Sequence, residues 1–144
     1  MKYDWELTEE EFGPFYPFIQ DKNVTDIDYN GKTLWVADLK RGRYQADAVV
    51  GEEFIERFTH RIANRVNKPF NRTNNVLEAE TNELRISIVH ESVAVSGRSI
   101  CIRKSLPQVR QTVEGMLDSG YCTVEVLSLL INCVKAKMNF AFCG

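Results

Sequence analysis

The sequence predicts an α+β fold, an antiparallel sheet flanked by helices, and three observations carry that expectation. Leu77-Glu78-Ala79-Glu80, Leu84-Arg85-Ile86-Ser87-Ile88 and Ile100-Cys101-Ile102-Arg103-Lys104 alternate with the period of two that marks half-buried strands. Apolar residues instead fall at helical spacing within 54–66 and 123–138. Between the apolar pairs Ile27/Tyr29 and Leu34/Val36 lies Asn30-Gly31, a dipeptide that accepts the positive φ of a tight hairpin turn.

The elements follow in order. Thr8-Glu9-Glu10-Glu11 has the spacing of a capping box, so a short helix should begin there, with Thr8 accepting from a backbone amide and Glu11 reaching back. Phe12, Phe15, Phe18 and Ile19 can share a face, while Pro14 and Pro17 limit regular helix to short turns. This arm over residues 1–20 either docks on a neighbouring molecule or caps its own core. Three meandering strands are expected from Val24 through the Asn30-Gly31 turn and a second turn at Lys40-Arg41-Gly42-Arg43 to Ala46. Gly51-Glu52-Glu53 opens a helix whose apolar positions are Phe54, Ile55, Phe58, Ile62, Ala63 and Val66; it should end before Pro69. Its Glu56, Arg57, Arg61 and Arg65 read as a solvated face. The three alternating strands come next. Helices over Thr112–Leu117 and Thr123–Met138 then flank Ser119-Gly120, a helix stop, and the Val124, Leu127, Leu130, Ile131 and Val134 stripe reads as core. Asn139-Phe140-Ala141-Phe142-Cys143-Gly144 is an apolar run with no turn after it, which predicts that the sequence was cut at a domain boundary.

At 144 residues, 44% hydrophobic and 26% charged, the chain has the composition of a globular domain. A chain of this length buries roughly 68–70% of its unfolded surface and needs no staple. Its net charge of −2 gives no global field for nucleic acid or anionic lipid, so any anion site must be local. No apolar run approaches a membrane span, and the polar start Met1-Lys2-Tyr3-Asp4-Trp5-Glu6 does not read as a secretory signal, so a cytoplasmic chain is expected. Cys101, Cys122, Cys133 and Cys143 contain no Cys-x-x-Cys pair and read as small buried hydrophobes. His60 and His90 lack a nucleophile setting and read as structural or surface residues.

Chemistry concentrates on one strand pair. If 84–90 and 98–104 are antiparallel neighbours, Leu84, Ile86, Ile88, Ile100 and Ile102 share a buried face, and Arg85, Ser87, Cys101 and Arg103 share the other. Like charges opposed across a sheet destabilise it, so the two arginines call for an anion between them, and phosphate matches the guanidinium fork. The alternative is that each arginine pairs with Glu78, Glu80 or Glu91. Lys32, Lys40, Arg41 and Arg43 lack the interleaved aromatic residues of a nucleic-acid platform and read as solvated turn residues.

Several of these segments resemble the N-terminal signature of the type II/type IV secretion and pilus-assembly traffic ATPases. They are Asp21-Lys22-Asn23-Val24-Thr25-Asp26-Ile27, Asn30-Gly31, Trp35-Val36 and Gly42-Arg43, then Leu84-Arg85-Ile86 and Gly97-Arg98-Ser99-Ile100-Cys101-Ile102-Arg103-Lys104. Met138 to Gly144 resembles the strand entering a Walker A loop, with Gly144 at its first glycine. The similarity spans roughly Phe12 to Gly144 and is nearer the Tad-type or conjugative-element branch.

This resemblance implies a PAS-like N-terminal α+β domain over 21–138, followed at 139–144 by the first strand of a RecA-like ATPase domain lying beyond the sequence. It further implies a homo-hexameric parent, cytoplasmic and peripheral at the inner face of the membrane, with inner-membrane secretion or pilus proteins as partners and no direct nucleic-acid contact. Arg85, Arg98 and Arg103 are then the candidate contacts to ATP phosphates, with ATP and Mg bound only in the full-length parent. The sequence holds no complete Gly-x-x-x-x-Gly-Lys-Ser/Thr loop and no Walker B set, so the piece is expected to be inactive alone. The competing expectation is a non-enzymatic α+β sensor or protein-interaction scaffold.

Overall fold

Thr8 caps the first helix, α1 (Glu9–Phe12), by accepting from the Glu11 amide, as the capping-box spacing predicts. Glu11 does not complete the box; its carboxylate meets Arg65 instead. In this computed structural model, which describes residues 5–105 and 112–141, the prolines divide the arm. A 3-10 turn spans Gly13–Phe15 and α2 spans Tyr16–Gln20. Phe12, Phe15 and Ile19 are buried in the chain's own core, so the arm takes the self-capping alternative. Helix α3 (Glu52–Arg65) supplies the facing residues Ile55, Phe58, Ile62 and Ala63. Phe12, Phe15, Phe54 and Phe58 interlock with ring centroids 5.4 to 5.8 Å apart, the separations that favour edge-to-face and offset rings.

The sheet has six antiparallel strands: β1 (Val24–Tyr29), β2 (Leu34–Asp38), β3 (Gly42–Gln45), β4 (Val76–Glu80), β5 (Leu84–Val89) and β6 (Ser99–Lys104). Their order is β3-β2-β1-β6-β5-β4, so β6 lies between β1 and β5 and joins the two meanders. The predicted buried face forms: Ile86 stands opposite Ile102 and Ile88 opposite Ile100, each 0–1% exposed. A bulge between Val24 and Asp26 shifts β1 by one residue, and this puts Val24, Ile27 and Tyr29 all on the core side despite the odd spacing of the first two. The Asn30-Gly31 turn is longer than a two-residue loop. The Asn30 side chain accepts from the Lys32 and Thr33 amides, and the Asn30 amide donates to the Thr33 carbonyl. Buried Asp38 turns β2 into β3 by accepting from the Lys40 and Arg41 amides at 2.8 and 2.9 Å, which holds its carboxyl below the usual carboxylate range.

The chain forms two compact units, Met1–Pro107 and Gln108–Gly144. In the second, Thr112 caps α4 (Val113–Asp118) and Thr123 caps α5 (Val124–Lys135). Helix α5 stops short of the expected Met138 because Lys137 takes a left-handed φ of 55°. The stripe expected to be core is not buried: Val124, Ile131 and Val134 are exposed, and no residue of α5 is buried. The stripe records that the helix is apolar enough to need a cover, which is not the same as having one. Residues 139–141 form no strand, and 142–144, including the candidate Walker glycine Gly144, lie outside the described residues. Among the described residues no helix is long and apolar enough to cross a membrane.

Candidate functional site

The face of the sheet away from α3 carries a charged row that crosses four strands in register. Asp26 of β1 stands opposite Arg103 of β6, Arg103 opposite Arg85 of β5, and Arg85 opposite Glu80 of β4. The two arginines are therefore direct cross-strand neighbours, as the alternation of 84–90 and 98–104 predicts, and two like charges meet at the centre of the row. A carboxylate holds each from the outside. Arg103 Nε donates to Asp26 Oδ1 at 2.7 Å, and Arg85 Nη2 donates to Glu80 Oε1 at 3.3 Å. Glu80 is one of the sequence-predicted partners; Asp26 is not, because nothing in the sequence places β1 beside β6.

Both guanidinium groups lie on the surface, with side chains 66% and 64% exposed. Exposed pairs of this kind contribute little, since water already screens both charges and holding two long side chains costs entropy. The Asp26 hydrogen bond and charge raise the Arg103 pKa, so this group stays cationic. Cys101, two residues back along β6 and on the same face, stands opposite Ser87. Burial, then its hydrogen bond to Asp28, push its thiol up to about 12, which removes it from thiolate chemistry at neutral pH. Along the same face Arg43 reaches Asp28 at 3.2 Å and lies over the Trp35 ring, which accounts for one of the turn cations locally.

Arg98 does not join this row. Its guanidinium is held bidentately by Glu91, at 2.8 and 3.0 Å, beneath the Phe70 ring, and its side chain is only 13% exposed. The Arg98 hydrogen bond pulls the Glu91 pKa from 4.5 to about 2. On acidification the unfolded chain therefore takes up this proton before the folded chain does. The stabilisation is complete above pH 4.5, falls as the pH drops, and is gone near 2. Urea midpoints measured across that window should converge for the parent and Glu91→Gln; a gap of constant size would mean that the pair does not form in solution.

Neither a protein-family model nor a curated protein matches the sequence. Among solved structures the chain is similar to the VirB11 ATPase of the Brucella suis type IV secretion system, solved in complex with sulphate, with a TM-score of 0.65. The likeness is one of fold. At 20% identity it covers 90% of this chain but 42% of the VirB11 chain, so the chain spans less than half the length of VirB11. The six-stranded antiparallel sheet with its flanking helices is thus an α+β arrangement found within VirB11.

Proposed function

We propose that this chain is the N-terminal module of a hexameric ATPase that powers type II or type IV secretion, pilus assembly or conjugative transfer. The observation that carries the reading is the direct opposition of Arg85 and Arg103 on an exposed sheet face. Two adjacent exposed guanidinium groups, each paired with a partly exposed carboxylate, offer a fork-shaped site that a triphosphate can enter by displacing weak ion pairs. The fold likeness to VirB11 supports the placement of such a module in a secretion ATPase. ATP with its Mg would be held mainly by a following RecA-like domain. Arg103, and beside it Arg85, would then stabilise charge that builds on the transferring phosphoryl group. Arg98 is the weakest of the three candidates, because leaving Glu91 would cost it a bidentate, half-sheltered pair. The module would sit at the cytoplasmic face of the membrane, against the inner-membrane proteins of the export machine.

In the ATPase that contains this module, Arg103→Ala should lower kcat/KM for ATP on the order of a hundredfold, the size of losing one preorganised transition-state donor. The melting temperature of the isolated 144-residue chain should change little, because Arg103 is exposed. Unaltered turnover would remove Arg103 from the site and leave the scaffold reading.

A further inference from the structure

A cavity of about 430 Å³ opens where the end of β1, the start of α3 and the loop leading into β6 meet. Its size is in the range of small-molecule sites. It is separate from the arginine row. Tyr29, Gly31, Glu52, Ile55 and Glu56 line one side, and Glu91, Gly97 and Arg98 the other. Tyr29 is 5% exposed, yet its hydroxyl has no hydrogen-bond partner among the described residues. No fully buried side-chain oxygen there lacks a partner, so the phenol oxygen is the part of Tyr29 that reaches the cavity. The hydroxyl is therefore open to a polar group of whatever fills the cavity.

The charges specify which ligand. Glu52 and Glu56 are four apart on one face of α3, where like charges repel, and neither has an ion-pair partner among the described residues. Glu52 is favoured by its place in the first turn; Glu56, a turn later, gains little from the helix dipole. Glu53 is already occupied by Arg57 at 2.9 Å, and Arg98 by Glu91. The cavity therefore presents two uncommitted carboxylates and a free hydroxyl, which excludes an anion. No cluster among the described residues is arranged to hold a metal ion. Ile55 and the Tyr29 ring supply apolar wall.

We propose that this cavity binds a primary alkylammonium group, with Glu52 and Glu56 taking the charge, the Tyr29 hydroxyl accepting an N–H, and Ile55 and the Tyr29 ring seating the methylene chain. Burial and the Glu52 charge raise the phenol pKa, so the hydroxyl keeps its proton and stays neutral beside the carboxylates. Free diamines and lysine side chains share this chemistry.

Calorimetric titration of the 144-residue chain with putrescine, and separately with glycyl-lysyl-glycine, tests the assignment. At least one probe should bind saturably. Tyr29→Phe should weaken it about tenfold or more, the effect of removing one hydrogen bond to a charged group. The double variant Glu52→Gln/Glu56→Gln should abolish it. Tighter binding of putrescine assigns a free amine, and tighter binding of the tripeptide assigns a protein side chain. In the unsubstituted protein the Tyr29 ring resonances should shift along the same saturation curve, a readout that does not depend on any variant folding. The proposal is overturned if neither probe saturates, if binding survives the double substitution or Tyr29→Phe unchanged, or if the Tyr29 resonances stay still.

Discussion

Phe58→Ala is expected to destabilise the first unit by about 3–5 kcal/mol, the range for deleting a buried phenylalanine. Phe58 is 2% exposed and is the ring on which the N-terminal arm closes. Phe12 meets it at 5.7 Å, Phe15 at 5.5 Å and its own helix neighbour Phe54 at 5.8 Å. The void should collapse poorly, because its walls come from two elements that cannot follow one another. Phe12 and Phe15 are carried by an arm whose turns are fixed by Pro14 and Pro17, and the remaining wall is the rigid face of α3. Against a total stability of about 5–15 kcal/mol for a domain, the loss should be visible as a large drop in urea midpoint. A loss below about 1 kcal/mol, the level of an ordinary surface change, would mean that the arm does not pack on α3 in solution.

Gly31→Ala is the second large effect, expected at about 2–4 kcal/mol from backbone strain and a clash that cannot relax. Gly31 has a φ of +91°, and a Cβ there would stand 2.6 Å from the Ser96 carbonyl oxygen and 2.8 Å from the Gly97 Cα. Both neighbours are backbone, so no rotamer change relieves the contact. Gly42→Ala is the comparison: its φ is +73°, but a Cβ would meet nothing within 4 Å. It should cost only about 1–2 kcal/mol, the left-handed backbone penalty alone. Equal thermal shifts for the two variants would show that the backbones of Gly31 and Ser96 do not approach this closely in solution.

What could be read from the sequence is local. Alternation at Leu84, Ile86 and Ile88 against Ile100 and Ile102 fixes which side of each strand is buried, and that parity alone turns Arg85 and Arg103 to the same open face. The neighbour of β6 on its other edge is a matter of topology. No periodicity tells that residues 24–29 cross back to it, so Asp26 as the partner of Arg103 was out of reach, although the acids Asp26 and Asp28 do mark the polar face of β1. The bulge at 24–26 breaks the alternation of β1 for the same reason that it places Val24 inside. The cavity was less legible still. Tyr29 reads as an ordinary core aromatic and Glu52 as a favourable first-turn acid, and only the meeting of β1, α3 and the loop before β6 gives them a common function. In α5 the periodicity reveals an apolar helix face, but a sequence pattern cannot say whether that face is buried.

The central place of β6 has a consequence for how the chain is made. Residues 24–45 and 76–89 each form a meander, yet among the described residues the two share no ladder, and Ser99–Lys104 is the strand that bridges them. During synthesis the first meander must wait on the ribosome with one flank bare until a segment more than seventy residues downstream of Val24 emerges and zips both halves together. Arg103, one of the two arginines on the open face, thus arrives on the strand that joins the two halves of the sheet, so no chain shorter than that strand can display the full charged row.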